Sequence, residues 1–116
     1  MATADDFRRI ALSFPGAEER SHMAHPDFRI GGKIFATLGA RDGMAMVKLT
    51  RKEQQNYLDA AAGVFTPASG AWGRQGCTMV ELAKARAPLV KKALAAAAAT
   101  VRERTARPTR GRKRAK

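Results

Sequence analysis

The sequence predicts an α+β protein in two layers, with an antiparallel sheet and helices packed on one face of it. Apolar residues recur at helical spacing near the start, in the middle and at the end of the chain, and shorter runs with strand-like alternation lie between these segments. Gly31-Gly32 joins two of the shorter runs and can supply the positive φ angles of a two-residue hairpin. The order of helix, three or four strands, helix, two strands and helix favours this two-layer arrangement.

The first helix and the strands after it are marked by local signals. Thr3 can cap the helix and Pro15-Gly16 ends it. One helical face carries Phe7, Ile10, Ala11 and Phe14. A strand is possible near 18–22, the hairpin is predicted over 27–38, and a further strand over 44–49. In that last strand Ala45, Val47 and Leu49 should face one way, and Met44, Met46 and Lys48 the other.

The second half of the chain begins with a capping box. Thr50 and Glu53 have the spacing at which a hydroxyl and a carboxylate satisfy each other's backbone donors, which predicts a helix that stops at Gly63. Short strands near 64–66 and 78–82 flank a segment without periodicity, 70–78, which is predicted to be a loop. Pro88 suits the first turn of a third helix, whose apolar spacing continues to Val101.

The net charge of +12 is concentrated at one end of the chain. Residues 102–116 contain eight Lys and Arg and one acid, which gives +7, whereas 1–101 contain fourteen and nine, which gives +5. The last fifteen residues have no apolar stripe and their cations repel one another, so a disordered basic tail is predicted after a folded domain over 1–101. The tail cations are Arg102, Arg104, Arg107, Arg110, Arg112, Lys113, Arg114 and Lys116. They can bind phosphates without reading a base sequence; the alternative is a non-specific solubilising tail.

Composition argues against several other classes of protein. No apolar run approaches the length of a membrane span, and the first residues lack the apolar centre of a signal sequence. A single Cys excludes an internal disulfide and fits a reducing compartment. The expectation is a cytoplasmic protein without a membrane partner.

Candidate catalytic and metal-binding groups are sparse. His22, His25 and Asp27 could share a metal, but residues three apart in an extended segment face opposite ways, so ordinary surface histidines are favoured. Cys77 near Arg74 could form a thiolate, yet no paired acids, nucleophile elbow or phosphate-binding loop accompanies it. We therefore expect no enzyme activity, no metal and no cofactor.

The segment around Trp72 is the strongest candidate site. Its indole can stack on a base, Arg74 can bind a phosphate or guanine, and Gln75 can pair with adenine. Arg29, Lys33 and Lys48 are strand cations that could line the same surface. The alternative places Trp72 against the sheet as a core residue and pairs Arg74 with an acid such as Glu81.

Separated blocks of the chain resemble, in order, the MmcQ/YjbR family, small bacterial proteins generally described as DNA-binding. The matching blocks are 12–16, 25–29, 32–38, 47–49, 53–54, 65–68 and the Trp72 segment, and they lie within roughly 5–101. The resemblance implies a YjbR-like fold, similar to that of secretion chaperones, and a DNA-binding role. Cys77 departs from the pattern, since a second aromatic residue is expected there.

Two functions follow from these observations. The first is a non-enzymatic DNA-binding protein that uses the core cations and the tail, with DNA favoured over RNA. The second is a protein-interaction, chaperone-like or small-ligand-binding module that uses the open face of the sheet. Cations gathered on one face with Arg74 would favour nucleic acid, whereas a face of Met, Phe and Ile would favour a protein partner.

Overall fold

The computed structural model describes residues 2–22, 25–38, 43–61 and 63–106, and confirms the predicted α+β fold. The helices are α1 (Ala4–Leu12), α2 (Arg51–Ala60), α3 (Gly70–Arg74) and α4 (Ala87–Ala106). The strands are β1 (Ala17–His22), β2 (His25–Ile30), β3 (Lys33–Leu38), β4 (Met44–Lys48), β5 (Phe65–Pro67) and β6 (Cys77–Glu81). Within the described residues these strands form one antiparallel sheet in the order β1-β2-β3-β4-β6-β5.

The core lies between the sheet and the long helix α4. Val90, Leu94 and Ala97 of α4 are buried, and the helix contacts α1 and strands β2, β3 and β4. The Ala-rich stretch 95–99 lets the helix approach the sheet closely, because its side chains are small. Ala97 and Ala98 are fully buried there. The face of the sheet opposite this layer of helices is called the open face below.

The predicted hairpin is confirmed, with φ angles of 61° at Gly31 and 81° at Gly32. Its alternation is not regular, because Phe28 pairs with Ala36 while Arg29 pairs with Ile34. Phe35 is thus an extra residue in β3, and a bulge of this kind turns it into the core. There Phe35 and Ala36 are both fully buried, and the Phe35 ring lies 6.4 Å from that of Phe14. The bulge consequently moves Ile34 to the open face.

Two predicted boundaries differ from the structure. The segment predicted as a loop at 70–78 contains the short helix α3 and the start of β6. Helix α4 continues to Ala106, five residues beyond the predicted end of the domain at 101. Arg102 therefore belongs to the helix rather than to a disordered tail, and its Nη2 donates a hydrogen bond to the Pro15 carbonyl oxygen at 2.7 Å. That bond and the Arg side chain's helix propensity favour continuation of the helix.

The capping box of α1 predicts a measurable pH dependence. The pKa of Asp6 is lowered from its usual value of 3.8, first by the hydrogen bond from the Thr3 backbone N–H and then by one from Arg9. The folded state thus favours the carboxylate, so its stabilisation is present above the unfolded-state pKa and is lost as the pH falls through the folded-state pKa. In the wild type the melting temperature should therefore fall as the pH is lowered below about 4, and Asp6→Asn is expected to make this fall smaller.

Asp5→Asn is the matched control for this change. The Asp5 carboxylate is 94% exposed and contacts Arg8 instead of the helix cap, so its removal should leave the acid profile almost unchanged. The melting temperatures are measured by circular dichroism across the acid range. If both substitutions reduce the acid-induced fall in melting temperature equally, the role assigned to Asp6 in the cap is wrong.

Candidate functional site

Strand register places a set of polar and apolar side chains together on the open face. Arg29 of β2 pairs with Ile34 of β3, and Thr37 pairs with Met46 of β4. Lys48 pairs with Cys77 at the start of β6. Residues that are paired directly in antiparallel strands lie on the same side of the sheet. The predicted alternation of β4 is confirmed here, because Ala45 and Val47 are buried while Met46 and Lys48 are partly exposed on the other side.

A pocket of about 530 Å³ lies on the open face beside α3. Ile34, Thr37 and Met46 contribute to it from the central strands. The pocket, called the Trp72 pocket below, is lined by Arg29, Gly32, Lys33, Ile34, Thr37, Met46, Lys48, Trp72 and Cys77. The structure thus brings together four of the predicted site residues.

Trp72 is 65% exposed, and the alternative that placed it in the core is wrong. A large aromatic side chain at this exposure gives up most of the free energy that its burial would contribute. The indole stands on a helix of only five residues, with Arg74 in the same helix. Its position therefore depends on what holds α3 against the rest of the fold.

Helix α3 is held by a buried side chain and by a close backbone approach. Gln54 of α2 is 9% exposed, and its Nε2 donates to the carbonyl oxygens of Gly73 at 2.9 Å and Cys77 at 3.0 Å. A Cβ atom added to Gly73 would stand 1.9 Å from the Ala68 carbonyl oxygen. Only glycine allows that approach. Trp72 is thus presented on a fixed support.

A second pocket, of about 510 Å³, adjoins the first at Lys48 and Cys77, which line both. It is called the Arg74 pocket and is lined by Lys48, Thr50, Arg51, Arg74, Gln75 and Cys77. Arg74 and Gln75 were predicted for the site, whereas Arg51 was not. Thr50 and Arg51 are brought here because α2 starts just after β4, and Thr50 is its N-cap. The two pockets separate the predicted site into two chemically different parts.

The cations around the two pockets differ in how far their charge is compensated. Arg29 forms two hydrogen bonds to Asp27, Nε to Oδ1 at 2.7 Å and Nη2 to Oδ2 at 3.1 Å, and these raise the pKa of Arg29. Among the described residues no ion pair involves the other four cations, which are Lys33, Lys48, Arg51 and Arg74. Arg29 is therefore a positioned donor, while the others supply the uncompensated positive charge.

Asp27 is the residue of this region whose role the sequence analysis missed. It is fully buried, and the spacing of two between Asp27 and Arg29 puts both side chains on one face of a strand, so the pair could have been found from sequence. The suggested pairing of Arg74 with Glu81 does not occur, because Glu81 contacts Lys84 at 3.7 Å.

The two histidines are arranged differently from the expectation. His22 and His25 pair across the β1–β2 hairpin, because the chain reverses between them instead of continuing as one strand. In the part of the chain that the structure describes, no group of three His, Cys, Asp or Glu residues could hold a metal ion.

Two of the predicted tail cations lie within the described residues, and neither of them lines the two pockets. Arg102 and Arg104 lie in α4, on the helical layer. The other cations lie outside the described residues: Arg107, Arg110, Arg112, Lys113, Arg114 and Lys116. No described helix is both long and apolar enough to cross a membrane.

Comparison with known proteins agrees with this architecture. The model of the YjbR family matches residues 12–100, which is most of the chain. The chain belongs to the YjbR family. A crystal structure of Deinococcus radiodurans protein DR2400, with domain DUF419, superposes on this YjbR protein with a TM-score of 0.77 and 17% identity. The match covers 90% of this chain and 82% of that one, and at this identity it shows a shared fold. No curated protein matches the sequence.

Proposed function

We propose that this YjbR protein binds nucleic acid, preferentially DNA, through the open face around Trp72 and through its basic C-terminal residues. The observation that carries the proposal is the grouping of four cations, without ion pairs among the described residues, next to an exposed indole. Lys and Arg neutralise phosphates, and an exposed aromatic ring offers a stacking surface to a base.

The distribution of charge supports this function over a general affinity for anions. Lys33 and Lys48 line the Trp72 pocket, and Lys48, Arg51 and Arg74 line the Arg74 pocket. A ligand that lies across both pockets would meet positive charge in each of them and the aromatic surface of Trp72 in the first. A phosphate backbone with attached bases has this pattern of charge and apolar surface.

The proposed role is binding rather than catalysis. As far as the structure describes the linings of the two pockets, they contain neither a histidine nor a carboxylate that could act as a general base. The proposal places the protein with nucleic acid in the cytoplasm.

A protein partner is the second candidate, because Ile34 and Met46 form an apolar surface between the cations of the Trp72 pocket. The open face thus carries both the grouped cations that favour nucleic acid and the apolar side chains that favour a protein partner. A partner segment with acidic and apolar residues would suit the same surface, so direct binding to nucleic acid must decide between the two candidates.

Lys48→Gln tests the proposal, because Lys48 lines both pockets. The expected result is a roughly three- to tenfold loss of affinity for a labelled oligonucleotide in an anisotropy titration at about 0.1 M salt, since one phosphate contact is lost. Lys91→Gln removes the same charge from an exposed position on α4 and should change the affinity less than twofold. Equal effects of the two substitutions would contradict a site on the open face.

A further inference from the structure

The Trp72 pocket and the Arg74 pocket form a continuous site with two kinds of lining. The first has Ile34 and Met46 beside an exposed indole, and the second has Arg51 and Arg74 with the Gln75 amide. Lys48 lies at the boundary and lines both. Both pockets carry cations, but only the first also has an aromatic ring and large apolar side chains. This difference matches the two parts of a nucleotide, a flat base and a charged phosphate.

We propose that this site binds one unpaired nucleotide, with its base against Trp72 and its phosphate among Lys48, Arg51 and Arg74. The inference rests on the proposed function and goes beyond it by naming the form of nucleic acid. A base pair inside a duplex has both of its faces covered by its neighbours, so its bases cannot stack on an indole. An unpaired base exposes a face that stacks on aromatic side chains regardless of sequence.

The support under Trp72 agrees with a stacking role. The hydrogen bonds from Gln54 and the close approach of Gly73 to Ala68 fix α3 before any ligand arrives. A helix backbone that is already held does not have to be ordered on binding, so more of the stacking energy appears as affinity. The fold thus keeps an indole in water at 65% exposure on a rigid base, an arrangement that core packing does not require.

The size of the site is compatible with a ligand of this kind. The Trp72 pocket measures about 530 Å³, within the range of about 300–1,000 Å³ that is usual for small-molecule sites. This is enough for one base and its sugar, while the phosphate lies in the adjoining pocket. A free nucleotide and a nucleotide within a single strand share this chemistry, so the probes must distinguish them.

Intrinsic fluorescence offers a direct test, because Trp72 is the only tryptophan of the chain. The full chain is titrated with four probes: an oligothymidylate of about 12 nucleotides, the same strand with abasic sites throughout, a duplex of equal length, and a thymidine mononucleotide. The expected result is saturable quenching by the single strand, with no quenching by the abasic strand or the duplex. Quenching by the mononucleotide at an equally low concentration would assign the site to free nucleotides.

The affinities of Trp72→Ala and of the wild type for the same probes are then compared by fluorescence anisotropy. Loss of one stacked base should weaken binding of the single strand about 5- to 150-fold and leave the abasic strand and the duplex within twofold of wild type. Trp72→Phe should recover part of the affinity, because a smaller ring still stacks. Trp72 is exposed, so neither variant should disturb folding.

Two failures can be told apart in this design. Equal binding of abasic and intact strands, or equal weakening of every probe by Trp72→Ala, would overturn the nucleotide site while core binding to nucleic acid could stand. If Lys48→Gln also leaves the affinity for every probe unchanged, the proposed function of the open face fails as well.

Discussion

Gly76→Ala is expected to lower the free energy of unfolding by roughly 3–5 kcal/mol, because it adds backbone strain to a backbone clash. Gly76 has φ +111°, and a Cβ atom there would stand 2.0 Å from the Leu49 carbonyl oxygen. The backbone N–H of Leu49 also donates to the Gly76 carbonyl oxygen at 3.2 Å, so the two segments cannot separate without losing that bond. The predicted loss is a large part of the ~5–15 kcal/mol that usually stabilises a domain.

Gly43→Ala is the control that isolates strain from the clash. Gly43 has φ +75°, but an added Cβ atom would meet nothing within 4 Å. Its substitution should cost about 1–2 kcal/mol, the usual penalty of a left-handed conformation for an L-residue. Urea denaturation of the two variants measures the difference, and equal losses of stability would contradict the role assigned to the Leu49 contact.

Removal of residues 107–116 is expected to reduce the salt dependence of DNA binding strongly while part of the binding remains. The segment contains six cations and no acid. Each phosphate contact contributes about 0.9 to the slope of log K against log salt on duplex DNA, so the slope should fall in magnitude by up to about 5. Anisotropy titrations of duplex DNA at several salt concentrations, with the full and the shortened chain, measure both slopes.

The position of the cut matters for this comparison. A chain ending at 101 would lose part of α4 and the hydrogen bond from Arg102 to Pro15, so it should be less stable than a chain ending at Ala106. Circular dichroism melts of the two shortened chains check this order. An unchanged salt slope after removal of residues 107–116 would show that their cations do not contact phosphate.

Local signals in the sequence predicted most of the elements correctly. The capping box predicted at Thr50 with Glu53 is present, Thr3 caps the first helix as predicted, and the hairpin turns at Gly31-Gly32. The box that Thr3 forms with Asp6 was not predicted. The bulge at Phe35 was missed, because a bulge depends on the register of the neighbouring strand. Helix α3 was missed since five residues are too few to show a period and its fixed position depends on Gln54, nineteen residues earlier.

The candidate site was predicted by residue type and only partly by arrangement. Trp72, Lys33 and Lys48 do lie around one pocket, as their chemistry suggested. Arg29 also lines this pocket, but its ion pair with Asp27, which compensates its charge, was not predicted. Arg51 joins the site through the packing of α2 next to β4, and no pattern within the sequence shows which turn of a helix will face a distant loop.

The shortened chain ending at Ala106 gives the most direct test of whether the folded core binds nucleic acid. Its affinity for a single-stranded oligonucleotide is compared with that of a variant carrying Lys33→Gln, Lys48→Gln and Arg74→Gln. A control carries Arg86→Gln, Lys91→Gln and Lys92→Gln, three exposed cations of the helical layer. We predict that the shortened chain and the control bind alike and that the open-face variant binds at least about tenfold more weakly. No binding by the shortened chain, or equal binding by both variants, would contradict the proposed role of the open face.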